Sequence, residues 1–490
     1  MAVEYDLVII GNSPEGRYAA LKATQLNARV ALVDQSISEV EHNYSLSIYS
    51  RILSSQANLA NITANNSFDP SCPTHIWMQE VIDTLQARYS PQKLASLGVD
   101  FISGKGEFCR LPKQAFLVNN RRLHSRSYLL ATGNHITVPN ISGLKEVGYL
   151  TPADLWQRYR LEEVGHIKET KSSFSNGNPE ILPDNLVLIG SNPLAVELAQ
   201  SLARLGKEIT LIVEDEKLLP AEDAEIAMLI QAQLEAEGIN FLTHSKVRQI
   251  KKIEEKKWLQ VGDLALETDE IIFVGEWQPN ITDLNLEGVG VKVGKQGISA
   301  NEKLQSTNPK IYVCGALQGG YNFPHLAIYE ANLVLKNALF FPVHKVNYLP
   351  IPWVIFTQPN LAKVGMSEAS ARNRYGEEVM VIKQNFHTLT QALIEGETTG
   401  LLKLILRRNG DILGAYIFSA QAGELINTIA LGINHKIKLG QLARYPCALP
   451  TWSEIIHQAA LEWQNQRFRA NKTWANWLET WFDWQRDWAK

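Results

Sequence analysis

The chain has 490 residues, of which 45% are hydrophobic and 20% charged, and a formal net charge of -4. That length exceeds what a single core serves and calls for several domains, and the charge leaves no basic footprint for nucleic acid. The opening MAVEYDLVIIGNS has no basic segment ahead of a long apolar run, and no stretch approaches the roughly 20 apolar residues of a membrane span, so a cytoplasmic chain is expected.

Residues 5–34 read as an apolar strand, a glycine turn, an amphipathic helix and a second strand ending in an acid, which is a βαβ unit. A dinucleotide site needs glycine for the tight turn, glycine where the backbone nears the diphosphate, and glycine where helix meets strand. An acid further on takes the ribose. Gly11, Gly16 and Asp34 meet these needs; Ser13 stands at the middle position, followed by Pro14. A serine there bonds a phosphate or crowds it. The pattern returns at 185–214, where Gly190 opens the turn, Asn192, Leu194 and Ala195 follow, and Glu214 closes the second strand. Glu214 would accept from a ribose 2′-hydroxyl and repel a 2′-phosphate, which points to NADH. Each motif alone is weak; the repetition is what argues for a two-nucleotide architecture. The four cysteines, Cys72, Cys109, Cys314 and Cys447, fit neither zinc spacing nor a Cys-x-x-Cys pair, so no metal is expected. Cys314, in the apolar run IYVCG, reads as a small buried hydrophobe.

An ordered series surrounds the two units: GKGEF, LLATGN, ISGL, LLPAEDAEIA, DEIIFVGEWQPN, STNPKIYVCGA, PHLAIYE, IPWVIFTQPNLAKVGMSE and GDILGAYIFSAQAGELI. In this series the chain resembles the flavoprotein disulfide reductases, among them dihydrolipoamide dehydrogenase, mercuric reductase and the soluble transhydrogenase. The resemblance implies an α/β fold with two Rossmann-like domains, one for FAD and one for NAD, followed by a C-terminal α+β dimerisation domain. The implied boundaries are a first flavin segment at 1–155, an NAD domain at 156–275, a second flavin segment at 276–347 and a dimerisation domain at 348–465. A homodimer is expected. Gly106, Ala131, Thr132, Gly133, Gly315 and Ala316 fall at family flavin positions, and Glu197 falls on the nicotinamide side.

The departures are chemical. Family members carry a redox disulfide, Cys-x4-Cys, shortly after the first unit, and the count from Gly11 lands on Tyr44 and Tyr49 with the spacing kept. The family's His-Pro-Thr-x-Ser-Glu motif reads LPTWSE, so Leu449 replaces the histidine acid/base while Glu454 remains, either as a remnant carboxylate or as part of a Thr451–Glu454 capping box. Both halves of the thiol mechanism are lost together, and disulfide reduction is not expected. The family's Gly-Asp is Gly315-Ala316, which removes a charge-assisted hydrogen bond worth roughly 1.5–3 kcal/mol. In GEWQPN, Glu276 alters the nicotinamide side.

Residues 466–490 form a tail in which Trp474, Trp477, Trp481, Trp484 and Trp488 share an arc of roughly 80° on a helix. Its own dimer, a protein partner and a membrane surface all suit such a stripe. Two functions fit the whole. One is an FAD-dependent NADH:acceptor oxidoreductase whose flavin serves a quinone, a nucleotide or a redox protein directly. The other is a non-catalytic relative that binds a dinucleotide or other ligand as a sensor or scaffold.

Overall fold

The computed structural model describes residues 3–35, 50, 51, 53, 80, 81, 83–85, 87–155, 182–275, 277–320, 323–470 and 472–488. Tyr44, Tyr49, Cys72 and Glu276 lie outside them, as does the side chain of Trp474. The chain divides into two compact units, Met1–Leu218 with Leu234–Val346, and Leu219–Gln233 with Asn347–Lys490.

In the first unit, the strand Tyr5–Ile10 (β1) lies between Val30–Asp34 (β2) and Ser125–Leu130 (β4). Asp100–Ser103 (β3) and Ile311–Val313 (β9) complete a parallel sheet in the order β9-β4-β1-β2-β3. β1 is apolar at every position from Leu7 to Ile10 because both of its faces are covered. Leu7 and Ile9 point to a cluster containing Ala19, Ala20 and Ala23 of the helix Pro14–Gln25 (α1) and Ala331 and Val334 of Pro324–Leu339 (α3). Val8 and Ile10 point the other way, to Phe108, Phe116, Leu123 and Tyr128. Alanines on the inner face of α1 let that helix sit close to the sheet.

A second parallel sheet runs Asn240–Leu242 (β7), Glu208–Ile212 (β6), Asn185–Ile189 (β5), Glu270–Phe273 (β8). The helix Pro193–Arg204 (α2) follows β5. The second strand of this unit was expected to close on Glu214; β6 ends at Ile212, and Glu214 lies two residues beyond it, exposed and 4.0 Å from the Lys246 amine.

The second unit holds an antiparallel sheet in the order Trp353–Ile355 (β10), Asn360–Gly365 (β11), Ile412–Ser419 (β14), Leu401–Arg407 (β13), Val379–Asn385 (β12). One face packs on the helices Ala422–Asn434 (α4) and Glu454–Ala470 (α5). Across the sheet the register aligns Trp353, Lys363, Tyr416, Lys403 and Lys383 in one row. Three lysines in one row, two of them direct neighbours, repel unless met by acids, and the segment Glu222–Glu225 supplies them. Glu222 accepts from Lys363 (2.7 Å) and from the Tyr416 hydroxyl (3.2 Å). Lys403, 4% exposed, is shared by Asp223 (3.0 Å), Glu225 (3.0 Å) and Glu368 (2.9 Å).

The capping box expected at Thr451–Glu454 does not form. The Thr451 hydroxyl donates to the Ala448 carbonyl (2.8 Å), and Glu454 accepts from Gln458 one turn on (2.9 Å), so each side chain is spent on a nearer partner. α5 runs through residue 466 to Ala470, and the tail forms its own helix, Lys472–Trp488 (α6). There Trp477, Trp481, Trp484 and Trp488 stay exposed and lie ring against ring, with centroids 5.7, 5.3 and 5.5 Å apart. Among the described residues no helix is long and apolar enough to cross a membrane.

Replacing Lys403 by Met puts an apolar chain among three carboxylates, of which Glu225 keeps Lys383 and Glu368 keeps Arg372 while Asp223 loses its lysine. The expected cost is about 3–5 kcal/mol, read as a lower midpoint in denaturant unfolding. Burial works against ionisation of Glu225 and Glu368, yet hydrogen bonds from Lys383, Lys403 and Arg372 hold both carboxyls below their ordinary 4.5. Their contribution is therefore complete above that value and lost as pH falls through the folded one. The Met variant should lose less stability than the parent over that acid range.

Candidate functional site: two nucleotide units

β1 ends at Gly11, whose φ of +115° no side chain tolerates well. A Cβ there would stand 2.1 Å from the Ala131 carbonyl oxygen and 2.5 Å from the Thr132 nitrogen. The glycine therefore lets the ends of β1 and β4 meet, and the opening over the sheet lies at their carboxyl ends, where α/β sheets take ligands. Thr132 is tied to Asn280: its hydroxyl donates to the Asn280 carbonyl (2.6 Å), and the Asn280 amide donates back to the Thr132 carbonyl (3.1 Å). Gly133, with φ +69°, faces open space. Gly16 meets the Gly11 carbonyl across the turn, where a Cβ would be 2.5 Å away.

Ser13 caps α1, its hydroxyl accepting from the Gly16 N–H at 3.2 Å, and Pro14 occupies the first helical position, where its missing N–H costs nothing. Asp34 ends β2 and accepts from the Asn12 amide (2.9 Å), while Arg17 Nε donates to the Asn12 side-chain oxygen (2.8 Å). Asn12 thus holds the Asp34 carboxylate and a guanidinium together. Gly315 and Ala316 begin the turn after β9, and the Gly315 N–H donates to Glu330 of α3 at 2.6 Å. Gly106 opens the strand Gly106–Cys109; its carbonyl accepts from Gln35 (3.1 Å), and a Cβ would strike the Leu117 carbonyl oxygen at 2.5 Å.

The second unit repeats the design with an amide. Gly190 approaches the Val274 carbonyl, which a Cβ would meet at 2.1 Å. Asn192 caps α2, accepting from the Ala195 N–H (3.0 Å) and donating to the carbonyls of Val274 (3.1 Å) and Gly275 (3.0 Å). Leu194 lies in the first turn, and Ala195 is fully buried behind it. Glu197, buried one turn on, accepts from the Ser50 hydroxyl at 2.5 Å.

Three contributors escaped the sequence reading. Asn12 and Arg17 look like an ordinary loop residue and an ordinary helix residue until the fold brings Asp34 beside them. Glu15 is buried in the first turn of α1, and its carboxylate lies where a Cβ on Gly315 would be 2.9 Å away. Burial raises this carboxyl above its ordinary 4.5, against the bonds from its own N–H and the Ser13 hydroxyl. A charged residue between Pro14 and Gly16 was the available signal. Cys314 is fully buried, and burial, with Glu15 and Glu330 nearby, pushes its thiol well above 9.0, which makes it inert. Among the described residues no group of three or more His, Cys, Asp or Glu is placed to hold a metal ion.

Two βαβ units in one compact body, followed by an antiparallel sheet backed by helices, define a mixed α/β protein of the flavoprotein disulfide reductase fold, with FAD- and NAD-binding domains and a C-terminal dimerisation domain. The chain belongs to the pyridine nucleotide-disulphide oxidoreductase family, matching it over residues 5–331, and matches the family's dimerisation domain over residues 351–460, which supports a homodimer. It is 30% identical to a mercuric reductase of Staphylococcus aureus over 94% of this chain and 82% of that protein. It is 27% identical to a dihydrolipoyl dehydrogenase of Bacillus subtilis (strain 168) over 93% of this chain and 98% of that protein. Among solved structures, LpdA from Mycobacterium tuberculosis superposes with a TM-score of 0.80 at 21% identity, covering 93% of this chain and 99% of that one. The HOCl-induced flavoprotein disulfide reductase RclA from Escherichia coli gives 0.77 at 22%, with the same coverage. The relatives are pyridine nucleotide-dependent flavoprotein oxidoreductases; the family depends on FAD and uses NAD(P)H. The close approach at Gly11, the space at Gly133 and the acid Asp34 at the end of β2 fit a dinucleotide in the first unit.

Gly11→Ala is expected to disrupt the meeting of β1 and β4 and to yield protein that unfolds early and retains no flavin. Gly133→Ala, with open space around its Cβ, should cost only about 1–2 kcal/mol. Thermal unfolding and flavin content of the two purified variants check the contrast.

Proposed function

We propose that this chain is an FAD-dependent NADH:acceptor oxidoreductase that passes electrons from flavin to a non-disulfide acceptor, namely a quinone, a nucleotide or a redox protein. The observation that carries the reading is Leu449. An aliphatic side chain, 67% exposed, stands in LPTWSE where the resemblance puts the histidine that serves thiol exchange, and it can neither give nor take a proton. Cys314 is buried and inert, and Tyr44 and Tyr49 stand where the resemblance puts the redox pair.

FAD, when bound, supplies hydride acceptance and onward electron transfer. The chain's part is to hold and to shield. Asp34, oriented by Asn12, takes the adenosine ribose, and the Gly11 turn lets the backbone near the diphosphate. Gly133 and the Gly315–Ala316 turn border the remainder of the site. Glu214, exposed beyond β6, takes a nicotinamide nucleotide's ribose and disfavours a 2′-phosphate. Glu197 and Ser50 form a buried polar pair on the nicotinamide side. The indole stripe of α6 is the partner surface, for a protein or a membrane.

Ala316 in place of the family's aspartate supports the second reading, a non-catalytic relative acting as sensor or scaffold. One experiment separates them. Purified protein should be yellow and should bleach when NADH is added without air. Quinone reduction should survive alkylation of all thiols, and neither lipoamide nor glutathione disulfide should be turned over. A colourless protein that FAD cannot reconstitute sinks the enzyme reading; thiol-sensitive disulfide turnover sinks direct transfer.

A further inference from the structure

α6 is a helix with little to lean on. From position 476 to 488 only Leu478 is half-buried, and Trp477, Trp481, Trp484 and Trp488 are 41% to 80% exposed. With 17 residues, five of them tryptophan and one alanine, it is poor material for standing alone in water, where isolated helices of that length are marginal even when rich in alanine. A covered face has to hold it.

The form of the stripe says what covers it. The tryptophans from Trp474 to Trp488 recur at intervals of three, four, three and four, the repeat of about 3.5 residues that runs along a seam between two helices. Their rings already form a column: Trp477 and Trp481 stack with 15° between their planes, and Trp484 and Trp488 with 26°. Leu478, Thr480 and Gln485 flank the seam, and Asp487 is the one charge beside it, near its end, so a like helix meets no row of like charges there. Glu479, Asp483 and Arg486 fall on the far side, the last two paired with each other. Three acids against two bases between Lys472 and Trp488 reverse the basic bias that draws an amphipathic helix to a membrane surface.

The position in the chain names the second helix. α5 begins at Glu454, inside the match to the family's dimerisation domain over residues 351–460, and α6 follows it. Indoles so exposed offer on the order of 400 Å² per helix and about 800 Å² in a pair, short of the roughly 1,000 Å² that a contact between free molecules needs. Two copies joined through their dimerisation domains raise the effective concentration of one tail for the other, and a contact of that size then suffices.

We propose that the tryptophan stripe of α6 packs on the same stripe of a second copy of this chain, as a two-helix seam within the homodimer. The inference rests on the reading of α6 as a partner surface. Trp481 is the midpoint of the stripe, so it meets its own counterpart whether the two helices run parallel or antiparallel.

The test is hydrogen exchange of the 472–488 amides, read by mass spectrometry on the full-length protein. Four samples are compared: the parent, Trp481→Glu, Trp481→Lys, and the heterodimer of the two variants, co-produced with different tags. Exchange should be slow in the parent and faster by on the order of tenfold in each single variant, where like charges meet at the centre of the seam. The heterodimer, where opposite charges meet, should recover much of the protection. Fast exchange in the parent, or a heterodimer no slower than the single variants, overturns pairing with a second copy and leaves the partner surface standing. Capture of the parent by phosphatidylcholine vesicles overturns the pairing in favour of a membrane. Slow exchange that neither charge disturbs shows a helix that holds without its stripe, and the partner-surface reading falls with the proposal.

Discussion

The nucleotide-binding half of this protein depends on one contact, the approach of Gly11 to the carbonyl of Ala131. β1 and β4 lie side by side in a sheet buried on both faces, and their carboxyl ends must turn away from each other without a side chain between them. With the contact made, α1 starts against the sheet, Ser13 closes its first turn, and the Ala131–Gly133 segment is fastened to Asn280 from another part of the chain. The opening that remains is shaped by backbone, which explains why both units keep their first glycine while the second glycine position drifts to serine in one and asparagine in the other.

Those two substitutions share a physical logic. Ser13 and Asn192 each satisfy, from inside the chain, an N–H that an anion would otherwise attract. Each helix thus has one of its first-turn N–H groups met without a ligand.

The C-terminal unit is organised by a different constraint. Lys363, Lys403 and Lys383 fall in one cross-strand row and are held there by acids from the segment Glu222–Glu225, far away in sequence. Such a network is costly to desolvate and costlier to break. Its value lies in registering that acidic segment on one place of the sheet.

Much was legible in the residues alone. The two βαβ units, their first glycines and Asp34 follow from local patterns, because apolar runs covered on both faces and tight turns leave a mark within thirty or so residues. The ordered motifs carried the family resemblance, which the match over residues 5–331 and 351–460 bears out. The end of β6 short of Glu214 and the failure of the Thr451–Glu454 capping box were decided by nearer partners that a pattern cannot weigh. Tertiary structure alone placed Asn12 between Asp34 and Arg17, set Glu222–Glu225 on the lysine row and turned Glu15 inward against Gly315. Each joins groups that are distant in sequence or turned by packing, and burial, which is a property of the fold, decides what charge such a group can bear.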